Sequence, residues 1–312
     1  MRTVQIQQWG EIPKYTDADD LPVPSPDSNQ IQLTVKATGL HQLVKGRASG
    51  VHYSAKTLPH TLGVDGVGTA SDGKDYYFNT LIPGASTGSY SEKVNVWKSA
   101  AVPLPENADP IQIAGLVNPG MSSWMALTAR TTNLPPNFTV VIMGATSMSG
   151  RVAAQFCRFY GAGKVIGVAR NAKALAEIRG LDASIPLADD PAATDFSSLV
   201  EAGVDVVLDY IYGPALVALF KALKPTVDRP LQYVEIGSMA ARETPLPADL
   251  LRSKDITMRG AGPGSWSMPQ LGKQMPTLIA NLCKVGEMPI KVMKLSEVAE
   301  GWKEKERVVF VP

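Results

Sequence analysis

Cysteine is scarce in this chain of 312 residues: Cys157 and Cys283 are the two thiols, far apart in sequence. Two lone cysteines cannot build a structural zinc site, and they read as plain core residues in a reducing compartment. Cys157 falls with Val152, Ala153, Phe156 and Tyr160 at helical spacing, which fits that reading; a cytoplasmic location is the expectation. Excess charge is also missing, with 30 basic residues against 29 acidic ones and a formal net charge of +1. A basic field able to hold a nucleic-acid backbone is therefore not expected. No run of about 18 apolar residues occurs, so no membrane-spanning helix is expected. The start, Met1 to Gln7, alternates apolar and polar residues like a first strand. It lacks the continuous apolar segment of a secretion signal.

What is present is enough apolar material for a sizeable core: 45% hydrophobic and 19% charged residues. The length suits two domains of ordinary size or one large one. The first hundred residues read as strands and turns. Ile31 to Ala37 alternates cleanly, Leu62 to Ala70 is a Gly-punctuated strand pattern, and Pro and Gly recur between such runs. From about residue 112 apolar strands alternate with helical patterns, the signature of a parallel sheet of βαβ units. Strands are expected at Thr139 to Met143, Lys164 to Val168, Val204 to Asp209, Leu231 to Ile236 and Ile256 to Arg259. Helices are expected at Gly150 to Tyr160 and Ala172 to Arg179. After Gly262 comes a helix with Leu271, Met275, Leu278, Ile279 and Leu282 on one stripe. A short helix from Glu297 with Ser296 as N-cap and a final strand, Val308 to Val311, end the chain. The fold class is α/β: a mostly β domain followed by a doubly wound parallel sheet.

The main chemical signal is the strand Thr139 to Met143 running through Gly144-Ala145-Thr146-Ser147-Met148-Ser149-Gly150 into a helix. Such a helix start offers unpaired N–H groups and the positive end of a dipole, a place for a pyrophosphate. Small side chains let the backbone approach the phosphates, and Gly150 allows close packing of helix on strand. The match to G-x-G-x-x-G is partial: Ala145 and Ser147 stand at the first two glycine positions, and Gly150 keeps the third. Without a ligand the same turn would be a tight strand-to-helix connection. The flanking βαβ spacing favours the nucleotide.

The second strand ends Gly167-Val168-Ala169-Arg170-Asn171. An NAD-type site places an Asp or Glu at this point to accept the ribose hydroxyls. Here that position is Ala169, and a cation follows it. Loss of the carboxylate removes its repulsion of a 2′-phosphate, and the Arg170 guanidinium can pair with that phosphate bidentately. Lys173, one turn into the next helix, offers a second charge. NADP(H) is therefore expected over NAD(H); the alternative reading makes Arg170 a solvated surface residue.

Several further segments stand in a recognisable order. They are Ala37-Thr38-Gly39-Leu40-His41 with Arg47-Ala48-Ser49-Gly50, Leu58 to Gly68, Gly88-Ser89-Tyr90-Ser91-Glu92, Asn118 to Trp124, Val204 to Asp209, and Val308 to Pro312. With the Gly-rich turn, they resemble the medium-chain dehydrogenase/reductase superfamily in its zinc-independent, quinone oxidoreductase-like and enoyl reductase-like members. The resemblance covers nearly the whole chain. It implies a discontinuous GroES-like catalytic domain of residues 1–113 and 263–312, and a Rossmann NADP-binding domain of residues 114–262. Hydride transfer is then expected in the cleft between them. By the same resemblance Asn118, Met121, Gly237 and Ser238 join Ala145 to Gly150, Arg170 and Lys173 in placing the cofactor. A homodimer is expected as well. In the zinc-dependent branch a Cys stands where His41 is, and a His where Val64 is. Val64 cannot ligate and no Cys supplies a third ligand, so zinc is not expected. Ser147 in place of a glycine, and His41 where the quinone reductase branch often has Asn, depart from the pattern. So does the stretch from Ser71 to Gly88. These leave the substrate pocket less defined than the cofactor site.

Without zinc no Lewis acid polarises an alcohol or carbonyl. A quinone or an α,β-unsaturated carbonyl needs less help, because hydride adds at one atom while charge spreads onto a distant oxygen. Orientation, a hydrogen bond to that oxygen and a proton remain to be supplied. Tyr53 resembles a tyrosine of enoyl reductase-like relatives, and a phenol with a reference pKa of about 10 stays protonated at neutral pH. It is the first candidate donor, with packing as its alternative role. His41 and His60 are the others, against a purely hydrogen-bonded role; water is a further source. The expected activity is NADPH-dependent reduction of a quinone or enone. The competing readings are a methyltransferase, which Ala169-Arg170 disfavours, a non-catalytic NADP-binding or interaction protein on the same fold, and an α/β protein without a nucleotide.

Overall fold

The computed structural model describes residues 1–52, 54–81 and 87–312. The chain forms two compact units, Met1–Asn118 with Met275–Pro312, and Pro119–Gln274. The division points fall inside helices. The sequence expectation put them at 113/114 and 262/263, where strand texture gives way to helix texture and back.

In chain order the first unit holds β1 (Arg2–Ile6), β2 (Lys14–Asp17), β3 (Gln30–Leu40), α1 (Gln42–Ala48), β4 (His60–Thr61), β5 (Asp65–Thr69), β6 (Asp75–Asn79), β7 (Lys93–Trp97), β8 (Ala101–Pro103) and the start of α2 (Pro110–Arg130). The second unit holds β9 (Thr139–Met143), α3 (Met148–Phe159), β10 (Lys164–Ala169), α4 (Ala172–Ala176), β11 (Ala183–Pro186), α5 (Ser197–Ala202), β12 (Val206–Asp209), α6 (Pro214–Ala222), β13 (Leu231–Glu235), α7 (Ala248–Arg252) and β14 (Ile256–Gly260). Helix α8 (Met268–Leu282) returns the chain to the first unit, which ends with β15 (Lys291–Lys294), α9 (Val298–Gly301) and β16 (Val308–Val311).

The first unit is mostly β. A three-stranded sheet runs β2-β1-β4, and a seven-stranded sheet runs β15-β16-β3-β5-β6-β8 with β7 also paired to β3. Eleven-residue β3 is its spine, antiparallel to β5, β7 and β16. Leu33 and Val35 enter a core with Phe78, Val94 and Val96; Leu40 enters another with Val4, Ile6, Leu62, Tyr90, Val308 and Phe310.

The second unit is a parallel six-stranded sheet in the order β11-β10-β9-β12-β13-β14. Counted within the unit this is 3-2-1-4-5-6, the doubly wound dinucleotide-binding order. Alternate residues of its strands feed two cores. Val140 and Ile142 pack with Ala153, Ala154 and Cys157 of α3, while Val141 and Met143 pack with Leu216, Leu219 and Phe220 of α6. Burial on both faces is why these strands read as unbroken Val, Ile and Leu runs. The fold class is thus α/β, with a mostly β unit and a Rossmann unit.

Local details differ from the sequence reading. The helix expected at Ala172 to Arg179 ends at Ala176, with Glu177 as its C-cap. Edge strand β11 was not expected, because only Ile185 in it is buried and no apolar run marks it. Ser296 is not an N-cap. It lies inside a one-turn 3-10 helix, Leu295–Glu297, because the Glu297 carboxylate accepts the Lys294 N–H at 2.7 Å and starts the turn there. Cys283 sits one residue beyond α8 and is half-buried. Among the described residues no helix is long and apolar enough to cross a membrane.

Candidate cofactor and active site

The turn after β9 is built by its own small residues. Gly144 takes φ +84°, a left-handed conformation that glycine adopts without strain. Ser147 N-caps α3: its Oγ accepts from Gly150 N at 3.1 Å and donates to the Gly144 carbonyl at 2.9 Å. Serine in the second glycine position therefore serves as a cap. A Cβ on Gly150 would lie 2.6 Å from both the Ala145 Cα and the Gly144 carbonyl oxygen. Only glycine lets α3 approach β9 this closely. The amides of Met148 and Ser149 begin the helix and have no intrahelical acceptor. Ala145 is buried, Thr146, Met148 and Ser149 are half-buried, and Ser147 is exposed.

The turn is tied to the neighbouring strand end. Gly144 N and Ala145 N both donate to the Val168 carbonyl, at 2.8 and 3.2 Å. Two residues on, Arg170 is exposed, as is Lys173 one turn into α4. Asn171 caps α4, its Oδ1 accepting from Ala174 N at 3.0 Å. The strand thus ends in buried Ala169 followed by a solvent-facing cation.

On the other side of β9, Tyr210 N donates to the Met143 carbonyl at 3.1 Å, and Gly237 N to the Asp209 carbonyl at 3.1 Å. The carboxyl ends of β9, β10, β12 and β13 are thereby gathered where the strand order reverses, the place ligands take in such sheets. Asp209 is fully buried. Its Oδ1 accepts from Ile211 N and Tyr212 N at 2.8 and 3.0 Å, and its Oδ2 from the Tyr233 hydroxyl at 2.7 Å. Burial pushes its carboxyl above the ordinary range against these donors. Exposed Ser238 lines a recess of about 460 Å³ with Tyr212, Glu235, Arg242 and Gly260. Asn118 and Met121, both half-buried, lie one turn apart on α2. Beside them the Ser122 hydroxyl donates to the Pro119 carbonyl at 2.6 Å and meets the Tyr210 hydroxyl at 3.1 Å.

In the first unit His41 stands between β3 and α1 and is 5% exposed. Its Nε2 is 3.1 Å from Asp65 Oδ1, and Asp65 Oδ2 accepts the Tyr77 hydroxyl at 3.1 Å. Sequence reasoning placed Asp65 inside a motif without giving it a role and passed over Tyr77. The signal that could have found them was a carboxylate inside the apolar strand pattern Leu62 to Val67, since a buried acid needs partners. His60, the other candidate, stacks at a tilt against Trp9 with centroids 5.8 Å apart. Burial, then the charge of Arg47, lowers its pKa to about 4, so the ring is uncharged at neutral pH. Tyr53 lies outside the described residues. Among the described residues no group of three or more His, Cys, Asp or Glu is arranged to hold a metal.

Comparison with known proteins adds the following. No protein-family model matches the chain. It is 36% identical to a protein of Emericella nidulans named "Probable NADPH-dependent quinone reductase tdiC", over 100% of both chains. It is 27% identical to the quinone oxidoreductase of Rattus norvegicus over 54% of this chain and 53% of that one. Among solved structures, the quinone oxidoreductase of Thermus thermophilus, described also in complex with NADPH, aligns over 100% of both chains with a TM-score of 0.75 at 22% identity. A 2-haloacrylate reductase aligns over 100% of this chain and 99% of its own with a TM-score of 0.78 at 19% identity. At those identities the structural likenesses speak for the fold.

Proposed function

Because the chain belongs to the quinone oxidoreductase family of medium-chain dehydrogenase/reductases, we propose that it is an oxidoreductase that reduces quinones with NADPH. The observation that carries this is the pairing, on adjacent strands, of the Gly144–Gly150 turn with an end that offers Arg170 and no carboxylate. NADPH, when bound, supplies the hydride.

The residues present suit that cofactor. Ala145 to Gly150 hold the pyrophosphate at the start of α3, where the amides of the first turn and the helix dipole favour an anion. Arg170 and Lys173 hold the 2′-phosphate by charge-assisted hydrogen bonds. Asn118, Met121, Gly237 and Ser238 complete its placement. In this reading Tyr53 is the first candidate to serve the proton and His41 the second. Zinc has no part: Val64 offers no ligand atom, and His41 Nε2 is already engaged by Asp65. The same chemistry extends to α,β-unsaturated carbonyls, whose oxygen likewise takes up charge at a distance from the attacked atom.

The test is NADPH and NADH oxidation, followed side by side against a panel of quinones and enones, with and without a chelator. Quinone-dependent, chelator-insensitive oxidation that prefers NADPH is the expected result. Absence of quinone-dependent oxidation would refute the activity, and loss of turnover on chelation would refute the zinc-free mechanism.

A further inference from the structure

We propose that Arg151, in the first turn of α3, is a binding residue for the pyrophosphate shared by NADPH and NADH, whereas Arg170 reads only the 2′-phosphate. The proposal deepens the NADPH reading above and rests on it. Every residue it uses lies in the Rossmann unit.

Most backbone donors of the turn are already engaged within the protein. Gly144 N and Ala145 N donate to the Val168 carbonyl, and Ser147 N donates to the Gly144 carbonyl at 3.1 Å. The Ser147 hydroxyl takes Gly150 N at 3.1 Å, and the Ser147 carbonyl takes Arg151 N at 2.9 Å. A glycine at position 147 would leave Gly150 N free for a ligand; the serine withdraws it. The amides of Met148 and Ser149 remain, which are few donors for a doubly charged pyrophosphate. A cation at the turn makes up the difference.

Arg151 is that cation. It is half-buried, and its Nε donates to the Thr146 carbonyl at 3.2 Å, which folds the side chain back onto the turn it follows. Among the described residues it has no carboxylate partner, and its terminal nitrogens donate to no other group. One edge of the guanidinium is thus fixed, and the other is left for two parallel hydrogen bonds to an oxyanion.

The position of Arg151 makes its lack of an acid informative. The first turn of a helix is the positive end of its dipole, so a cation there is unfavourable unless an anion joins it. Helix α3 supplies its own comparison. Arg158, in the last turn, stands where the dipole favours a cation; it pairs with the Asp182 carboxylate and donates to the Gly163 carbonyl at 2.9 Å. Arg151 has the unfavourable end and no acid. A bound pyrophosphate reverses that balance, because the dipole and the guanidinium both attract it.

The two arginines then read different groups. The 2′-phosphate is absent from NADH, whereas the pyrophosphate is common to both dinucleotides, so loss of Arg151 falls on both alike. If Arg151 only braced the Thr146 carbonyl, its removal would instead loosen the free protein.

The test is calorimetric titration of the full chain with NADPH, NADH and adenosine 2′-monophosphate, together with thermal melts of the free protein. Arg151→Gln should weaken NADPH and NADH by the same factor, about ten- to hundredfold for one charge-assisted contact. Its Kd for adenosine 2′-monophosphate, which has no pyrophosphate, should stay within about twofold of wild type. Its Tm without ligand should equal or exceed the wild-type value, because an unpaired cation has left the positive helix end. Arg151→Lys keeps the charge without the fork and should recover part of the affinity. Unchanged dinucleotide Kd values in Arg151→Gln, a loss confined to NADPH, or a matching loss with adenosine 2′-monophosphate would overturn the proposal. So would a variant that melts lower or does not fold without ligand, since Arg151 would then be a structural brace. A wild type that binds neither dinucleotide would overturn the NADPH reading itself, and the proposal with it.

Discussion

At Arg170 an exposed guanidinium follows buried Ala169, so the strand end presents a cation and no acid where a ribose phosphate would be held. The physics at His60 is opposite in kind, a titratable ring taken out of water beside a cation. Its pKa falls from 6.5 to about 4. Above pH 6.5 the ring is neutral in both folded and unfolded chains and has no effect on stability. Between pH 6.5 and 4 the unfolded chain takes up the proton first, so stability falls as pH falls, by up to about 3 kcal/mol. His60→Phe should remove that slope. Urea midpoints at pH 7 and pH 4.5 check it: the wild type should lose more stability between them than the variant, and parallel losses would contradict the assignment. Cys157 is a second buried group; burial lifts its thiol to about 12, so it should resist alkylation until the protein unfolds.

At the scale of elements, the β9–turn–α3 junction depends on one missing Cβ. Gly150→Ala would put a carbon 2.6 Å from backbone atoms of Ala145 and Gly144, which cannot rotate away. We expect a loss of about 1–3 kcal/mol, a Tm lower by roughly 5 °C, and weaker NADPH binding. Gly272→Ala, inside α8 with nothing within 4 Å of the added carbon, should instead gain up to about 1 kcal/mol of helix propensity. Thermal melts of the two variants separate steric from conformational effects, and equal shifts would count against the steric account. The same elements explain what could be read from sequence. Strands β9, β10 and β12 were legible because both faces are buried and their central residues are apolar. Strand β11 was not, because a sheet edge buries only Ile185. The turn and the Ala169-Arg170 end are contiguous stretches, so their chemistry lies in the order of residues. The His41–Asp65–Tyr77 cluster does not: its members sit on three segments joined only by the pairing of β3 with β5 and β5 with β6. No local pattern encodes that meeting, which is why the histidine was noticed and its carboxylate was not.

For the molecule as a whole, the 3-2-1-4-5-6 order brings four strand ends together at its reversal point, and it is there that the proposed function would hold its cofactor. The account stands or falls on whether that assembly chooses NADPH through Arg170. The measurement that decides this is kcat/KM for NADPH and for NADH, with one quinone, in the wild type and in Arg170→Ala. A charge-assisted pair of roughly 1.5–3 kcal/mol predicts that the variant loses ten- to hundredfold with NADPH and little with NADH. Equal losses with both cofactors, or a wild type that prefers NADH, would contradict it.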